Sequence, residues 1–172
     1  LSFDGVDDYV RVNTSTSLLF GTGPLSVVAW YTKQQTPWIG AIFNPAVDNG
    51  INLWLDWGGT YGRLNFIARN NPTCGFEVSY YLQSNESHWD GKFHFIAGVR
   101  ETNGNLKLWW DGVLKASSNP GSSCNVDILN YPFQIGNGNF GLARYLGFID
   151  ELRVYNRALS DQEIKALYDS TK

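Results

Sequence analysis

The sequence predicts an all-β fold, an antiparallel sandwich of two sheets with one short C-terminal helix. Three observations carry this. Apolar and polar residues alternate with period two through many short runs, as half-buried strands require. Glycine is frequent, 18 of 172 residues, and Asn103-Gly104 and Asp111-Gly112 punctuate the runs as tight turns do. Aromatic residues are abundant, with 7 Trp, 9 Tyr and 10 Phe, while long helical patterns are missing.

Residues 8–12, Asp-Tyr-Val-Arg-Val, form the first clean alternation. Residues 25–33 follow Pro24 and are rich in β-branched and aromatic side chains, a second strand; residues 40–45 hold a short third. Residues 51–57 place Ile51, Leu53 and Leu55 on one face and Asn52, Trp54 and Asp56 on the other. Residues 63–69 repeat the pattern with Leu64, Phe66 and Ala68 inward, and residues 75–83 continue it with Phe76, Val78 and Tyr80. Residues 92–118 read as a hairpin turning at Asn103-Gly104-Asn105, with a further turn at Asp111-Gly112. Residues 133–138 and 147–156 complete about a dozen strands, a spacing that suits two stacked sheets.

Ser160-Asp161-Gln162-Glu163 is a capping box, in which the Ser160 hydroxyl accepts from the Glu163 N–H and Glu163 reaches back. Leu159 and Ile164 stand at hydrophobic-staple positions, so a short helix docks through Ile164, Leu167 and Tyr168 as a structural clasp. No linker or charge block divides the chain, so residues 1–172 are expected to form one domain, which at this size buries roughly 70% of its unfolded surface.

A net charge of −3 offers no basic patch, which argues against nucleic acid or anionic membrane as partner. No apolar run approaches the roughly 20 residues of a membrane span. The chain opens on Leu1 without a signal segment, as a mature protein or excised module would. Cys74 and Cys124 are the only cysteines and both sit in turn-like stretches. They are expected to pair as a disulfide of a secreted or cell-surface protein, two free thiols being the alternative. With His88 and His94 the only histidines and no CxxC pair, a zinc site is not expected.

Four segments carry a resemblance. Residues 1–12 (LSFDGVDDYVRV), 23–33 (GPLSVVAWYTK), 93–118 (from FHFIAGVRETNG to VLKASS) and 147–168 (GFIDELRVYNRALSDQEIKALY) resemble, in order, the signatures of the bacterial laminin-G-like, concanavalin-like jelly rolls. Residues 34–90 match no such signature. The resemblance implies two stacked sheets with first and last strands as neighbours. It implies for many members a structural calcium near that junction, and attachment to secreted polysaccharide-degrading enzymes or adhesins. Fold alone does not choose among such functions.

Asp150 raises its own question. Read as one strand, Phe148, Asp150, Leu152 and Val154 share a face that is apolar except for that carboxylate, which is costly without compensation. The closing strand of related jelly rolls holds a calcium aspartate, so the resemblance makes Asp150, with Asp4 of the neighbouring first strand, the expected calcium ligands; Asp7 and Asp8 are turn residues able to join them. The simpler alternative for Asp150 is hydrogen bonding to backbone N–H groups or an arginine.

The phases above turn Trp54, Trp109, Asn52, Arg69 and Tyr81 away from the apolar rows and leave Trp38 and Trp57 at strand ends or in loops. Sugar rings stack their C–H faces on aromatic rings while amides and guanidinium groups pair with hydroxyls. These seven residues are therefore the expected ligand contacts, with Arg69 suited to a polar or acidic sugar. Trp30 and Trp110 are assigned to the core. The laminarinase-like Glu-x-Asp-x-x-Glu pattern is missing from the sequence. The expected function is a non-catalytic module binding a polysaccharide or glycan, the alternative a calcium-dependent protein-interaction or adhesion domain, and a polysaccharide-degrading enzyme the third.

Overall fold

A computed structural model describes residues 1–34, 40–45, 49–56, 62–70, 74–83, 85–120, 124–127, 131–138 and 144–171. Its strands in chain order begin with β1 (Ser2–Asp4), β2 (Val10–Val12), β3 (Leu25–Lys33), β4 (Gly40–Pro45), β5 (Gly50–Asp56) and β6 (Arg63–Asn70). There follow β7 (Cys74–Tyr81), β8 (His94–Arg100), β9 (Leu106–Trp110), β10 (Val113–Ser118), β11 (Phe133–Ile135) and β12 (Leu146–Tyr155), then helix α1 (Asp161–Thr171).

Two six-stranded antiparallel sheets result, ordered β1-β12-β3-β8-β9-β10 and β2-β11-β4-β5-β6-β7. First and last strands are neighbours as expected, Phe3 lying opposite Gly147. The opening segment divides: β1 joins the first sheet, whereas β2 joins the second beside β11. Alternate residues of β3, namely Leu25, Val27, Ala29 and Tyr31, meet Ile51, Leu53, Leu64, Phe66 and Ile96 in the core between the sheets. Trp110 belongs to that core, and its indole N–H donates to the Tyr31 hydroxyl at 3.1 Å.

All nine residues of β3 are buried because its other face is covered as well. There Val28, Trp30, Phe95, Ala97, Val99 and Trp109 receive Leu159 and Ile164, with Leu167 and Tyr168 packed alongside. Trp30 is thus buried under the helix, stacked on Tyr168 at 5.6 Å between ring centroids, rather than between the sheets. The capping box forms: Ser160 N–H donates to Glu163 Oε2 at 2.8 Å, and Glu163 N–H to Ser160 Oγ at 3.3 Å. The Arg157 guanidinium, and then the Ser160 N–H, hold the Glu163 carboxyl down at about 2.

The strand β12 departs from the expected phase. Its pairing with β3 slips between Asp150 and Arg153, and Glu151 adopts φ 49°, so a bulge reverses the faces. Leu152 and Val154 turn into the core with Ile149, while Phe148 and Asp150 point outward and are exposed. Asp150 therefore does not interrupt an apolar row, and its cost there does not arise.

Cys74 and Cys124 are disulfide-bonded, joining the start of β7 to a segment 50 residues later. Beside the bridge lies a device that no motif announced. Arg100 is 1% exposed, and its guanidinium donates to the carbonyls of Gly23 and Cys124 at 2.8 Å and of Gly21 at 3.0 Å. Burial pulls its pKa down to about 10, still well above neutrality, so a charged side chain ties two loops to the end of β8.

At the Lys33 end of β3 two histidines have opposite environments. His94 Nδ1 lies 2.8 Å from Asp111 Oδ2 and its Nε2 3.1 Å from Asp90 Oδ1. Burial, the largest influence, works against its charge, but Asp111 and then Asp90 outweigh it and the pKa rises. His88 is fully buried against Gly62 and Tyr31 with neither ring nitrogen hydrogen-bonded; burial, then Lys33 and His94, lower its pKa to about 3. Among the described residues no helix is long and apolar enough to cross a membrane.

Candidate functional site

The two sheets present different outer faces. That of the first sheet is largely closed by α1, whose side chains bury Trp109 to 6% exposure. Trp109 points away from the inter-sheet core as its phase implied, but it is covered by the helix and takes no part in an open site. The corresponding face of the second sheet carries polar and aromatic groups on strands whose inner face is wholly apolar.

Register assembles these groups into rows. Trp54 of β5 lies beside Asn65 of β6, which lies beside Ser79 of β7. Asn52, Ile67 and Glu77 form the adjacent row, and Arg63 faces Tyr81 beyond the Trp54 row. Arg69 stands between Gly50 and Gly75, and its Cγ would approach a Cβ at Gly75 to 3.3 Å, so the missing side chain leaves space for the arginine stem. Strands spaced by about 4.8 Å put three consecutive groups of a row across about 10 Å, the span of two sugar rings.

Hydrogen bonds brace part of this face. The Ser79 hydroxyl lies 2.7 Å from Asn65 Oδ1 and 2.5 Å from Glu77 Oε1. Arg63 Nη1 donates to the Tyr81 hydroxyl at 3.3 Å, stands 3.8 Å from Glu77 Oε1, and sits 5.5 Å from the centre of the Tyr81 ring. Two groups are left over. Asn52 is 2% exposed, yet its Oδ1 has no hydrogen-bond partner, and the Trp54 indole N–H of the same strand is likewise buried and unpaired. An unpaired buried acceptor beside an unpaired buried donor is a costly arrangement, which a hydroxyl able to donate and accept would relieve once the groups covering both atoms give way.

The structure thus brings Asn52, Trp54, Arg69 and Tyr81 to one face. Trp38 and Trp57 lie outside the described residues. Ser79, Glu77 and Asn65 complete the rows; alternation gives their outward phase, but what sets them beside Asn52 and Trp54 is cross-strand register, which sequence spacing does not contain.

Asp4 and Asp150 are not neighbours. Asp4 pairs with Leu146, four residues before Asp150 along β12, or about 13 Å at the rise of a strand. Asp4 instead groups with Asp7 and Asp8, each offering a carboxylate oxygen within 4.8 Å of the others, all three exposed. Asp4 Oδ1 accepts from Val6 N–H at 2.7 Å, the first cause of its lowered pKa, and Asp8 Oδ2 accepts from Asp4 N–H at 3.1 Å.

Comparison with known proteins gives the same architecture. The binding domain of Paraclostridial Mosquitocidal Protein 1 superposes with a TM-score of 0.80 at 14% identity, over 98% of this chain and 42% of that one. The CBM40 domain of the Ruminococcus gnavus IT-sialidase does so with 0.71 at 14% identity, over 94% and 97%. The binding domain of botulinum neurotoxin DC, solved in complex with SialylT, gives 0.67 at 12% identity over 95% and 40%. The chain therefore spans about two fifths of either toxin domain and nearly all of the sialidase module. No curated protein sequence matches it. The family model for the concanavalin A-like lectin/glucanases superfamily matches residues 4–165, almost the whole chain, and the protein belongs to that superfamily.

Proposed function

We propose that this protein is a non-catalytic carbohydrate-binding module of a secreted or cell-surface protein, and that its glycan lies on the outer face of β5, β6 and β7. The observation that carries the reading is the pair of unsatisfied groups, Asn52 Oδ1 and the Trp54 indole N–H, in a row-built face of amides, arginines and tyrosine. Such a face orients a sugar by a few fixed polar groups and holds it by aromatic contact. Arg63 and Arg69 favour a sugar with a carboxylate. The sialidase module and the toxin domain in complex with SialylT, similar in fold, support an acidic glycan as the first ligand to try. The disulfide supports an oxidising compartment. Attachment to a larger enzyme or adhesin is part of the proposal, in keeping with the longer toxin domains of which this fold is a part.

A structural calcium belongs to the same reading. Three exposed carboxylates of one turn are hard oxygen donors suited to Ca²⁺, and Asp4, Asp7 and Asp8 would hold it, without Asp150. Its contribution would be to bind the turn between β1 and β2.

The test is retention on sialylated, uronic-acid and neutral glycans, with calcium and with EDTA, for the parent protein and for Asn52→Ala and Trp54→Ala. Selective retention lost in both variants, with unchanged thermal midpoints, is the expected result. Retention that survives both substitutions removes the site, and retention of a protein partner with no glycan bound transfers the function to adhesion. A midpoint insensitive to EDTA and to Asp4→Asn removes the calcium.

A further inference from the structure

The helix does not close the whole outer face of the first sheet. Beyond its C-terminal end, Trp30, Phe93, Asp150, Glu151 and Thr171 line an open cavity of about 340 Å³. Phe93 is 50% exposed and its ring lies 6.4 Å from that of Phe148, itself 48% exposed. The two rings together make an aromatic wall open to water beside the cavity.

The charged residues that line the cavity, Asp150 and Glu151, are both carboxylates. Asp150 is exposed, with Oδ1 accepting the Glu151 N–H at 3.0 Å, and no cation among the described residues pairs with it. Glu151 adds a second carboxylate, held by Arg153. The C-terminal end of α1 reaches the cavity at Thr171, and its last turn contains no basic residue. The negative pole of the helix therefore adds to the carboxylates. Aromatic rings beneath fixed negative charge recognise an organic cation.

We propose that this cavity receives the ammonium group of a lysine side chain from a partner polypeptide. The methylene stem would lie on Phe93 and the edge of Trp30, and the ammonium on Asp150 Oδ2. A guanidinium fits less well. Its fork needs two free carboxylate oxygens side by side, whereas Asp150 Oδ1 is engaged by Glu151 and the Glu151 carboxylate by Arg153. The site lies on the opposite sheet from the proposed glycan face and is independent of it.

The probe is N-acetyl-lysine N-methylamide, titrated into isotope-labelled protein and followed by amide and indole chemical shifts. Saturable shifts at Trp30, Phe93, Asp150 and Glu151 are expected, with affinity about tenfold weaker in Asp150→Asn and in Phe93→Ala. Asparagine retains the oxygen that accepts the Glu151 N–H, so the bulge survives that change, and Phe93 is exposed enough to be replaced without a cavity. The ε-acetylated probe, which lacks the charge, should shift nothing. No saturation by about 50 mM, equal binding by Asp150→Asn, or equal binding of the acetylated probe overturns the proposal. Tighter binding of the arginine analogue overturns the choice of lysine.

Discussion

Reducing the Cys74–Cys124 bridge should cost this protein about a quarter or more of its stability. The bridge closes a separation of 50 residues. In the chain-entropy model the loss is 2.1 + 1.5R ln 50, about 14 cal/mol/K, or about 4 kcal/mol at 25 °C. Domains are stable by about 5–15 kcal/mol, so this is a large share. For a chain of this length each kcal/mol moves the midpoint by about 2–4 °C, which gives a drop of about 8–16 °C. Native contacts at the bridge should persist, because Arg100 still donates to the Cys124 carbonyl at 2.8 Å. The assay is urea unfolding of oxidised protein against protein refolded and kept in reductant, which leaves both thiols in place and avoids the cavity that an alanine at buried Cys124 would open. The denaturant dependence should steepen on reduction, since the uncrosslinked chain exposes more surface. A loss below about 1 kcal/mol with an unchanged slope would mean that the denatured chain keeps these segments together anyway, and the entropic reasoning would fail. Because Cys74 immediately precedes Gly75, against which Arg69 lies, reduction should also weaken glycan retention.

Three further outcomes follow from the buried groups. The pKa of His94 is raised above 6.5, so its stabilisation is complete below pH 6.5 and is lost as the pH climbs through the folded value; His94→Gln should flatten the alkaline limb of a stability–pH curve. His88, lowered to about 3, must lose its proton on folding, so stability should fall by about 1.4 kcal/mol per unit as the pH drops below 6.5; an acid limb unchanged in His88→Gln would contradict this. Ile164→Ala, at a fully buried helix position against Val28 and Trp109, should cost about 2–5 kcal/mol by urea unfolding and red-shift tryptophan emission; a change below about 0.5 kcal/mol would show that α1 is not part of the cooperative fold.

The strands β5 and β6 were legible in the sequence because side-chain alternation is a local property, whereas β3 and β8, buried on both faces, were legible from β-branched and aromatic content and from the turns that bound them. The same holds for the capping box at Ser160 and Glu163, whose partners stand three residues apart. Arg100 was not legible, since its carbonyl partners lie at Gly21, Gly23 and Cys124 and nothing in their spacing advertises the clamp. Nor was the bulge at Glu151, which one residue in a left-handed conformation creates and which turned Asp150 from an anomaly in an apolar row into an exposed carboxylate.

The candidate site divides along the same line. That Asn52 and Trp54 leave the core on the same side follows from period two and needs no coordinates. That Trp109, of the same outward phase, is sealed while Trp54 joins an outward polar face was decided by where α1 docks, and docking is a contact between segments more than fifty residues apart. Phase along one strand is set by the chirality and geometry of neighbouring residues. Which outward face the helix covers, which carboxylates meet, and which polar atoms are left without a partner depend on register and layer packing, and these exist only once the chain has closed on itself.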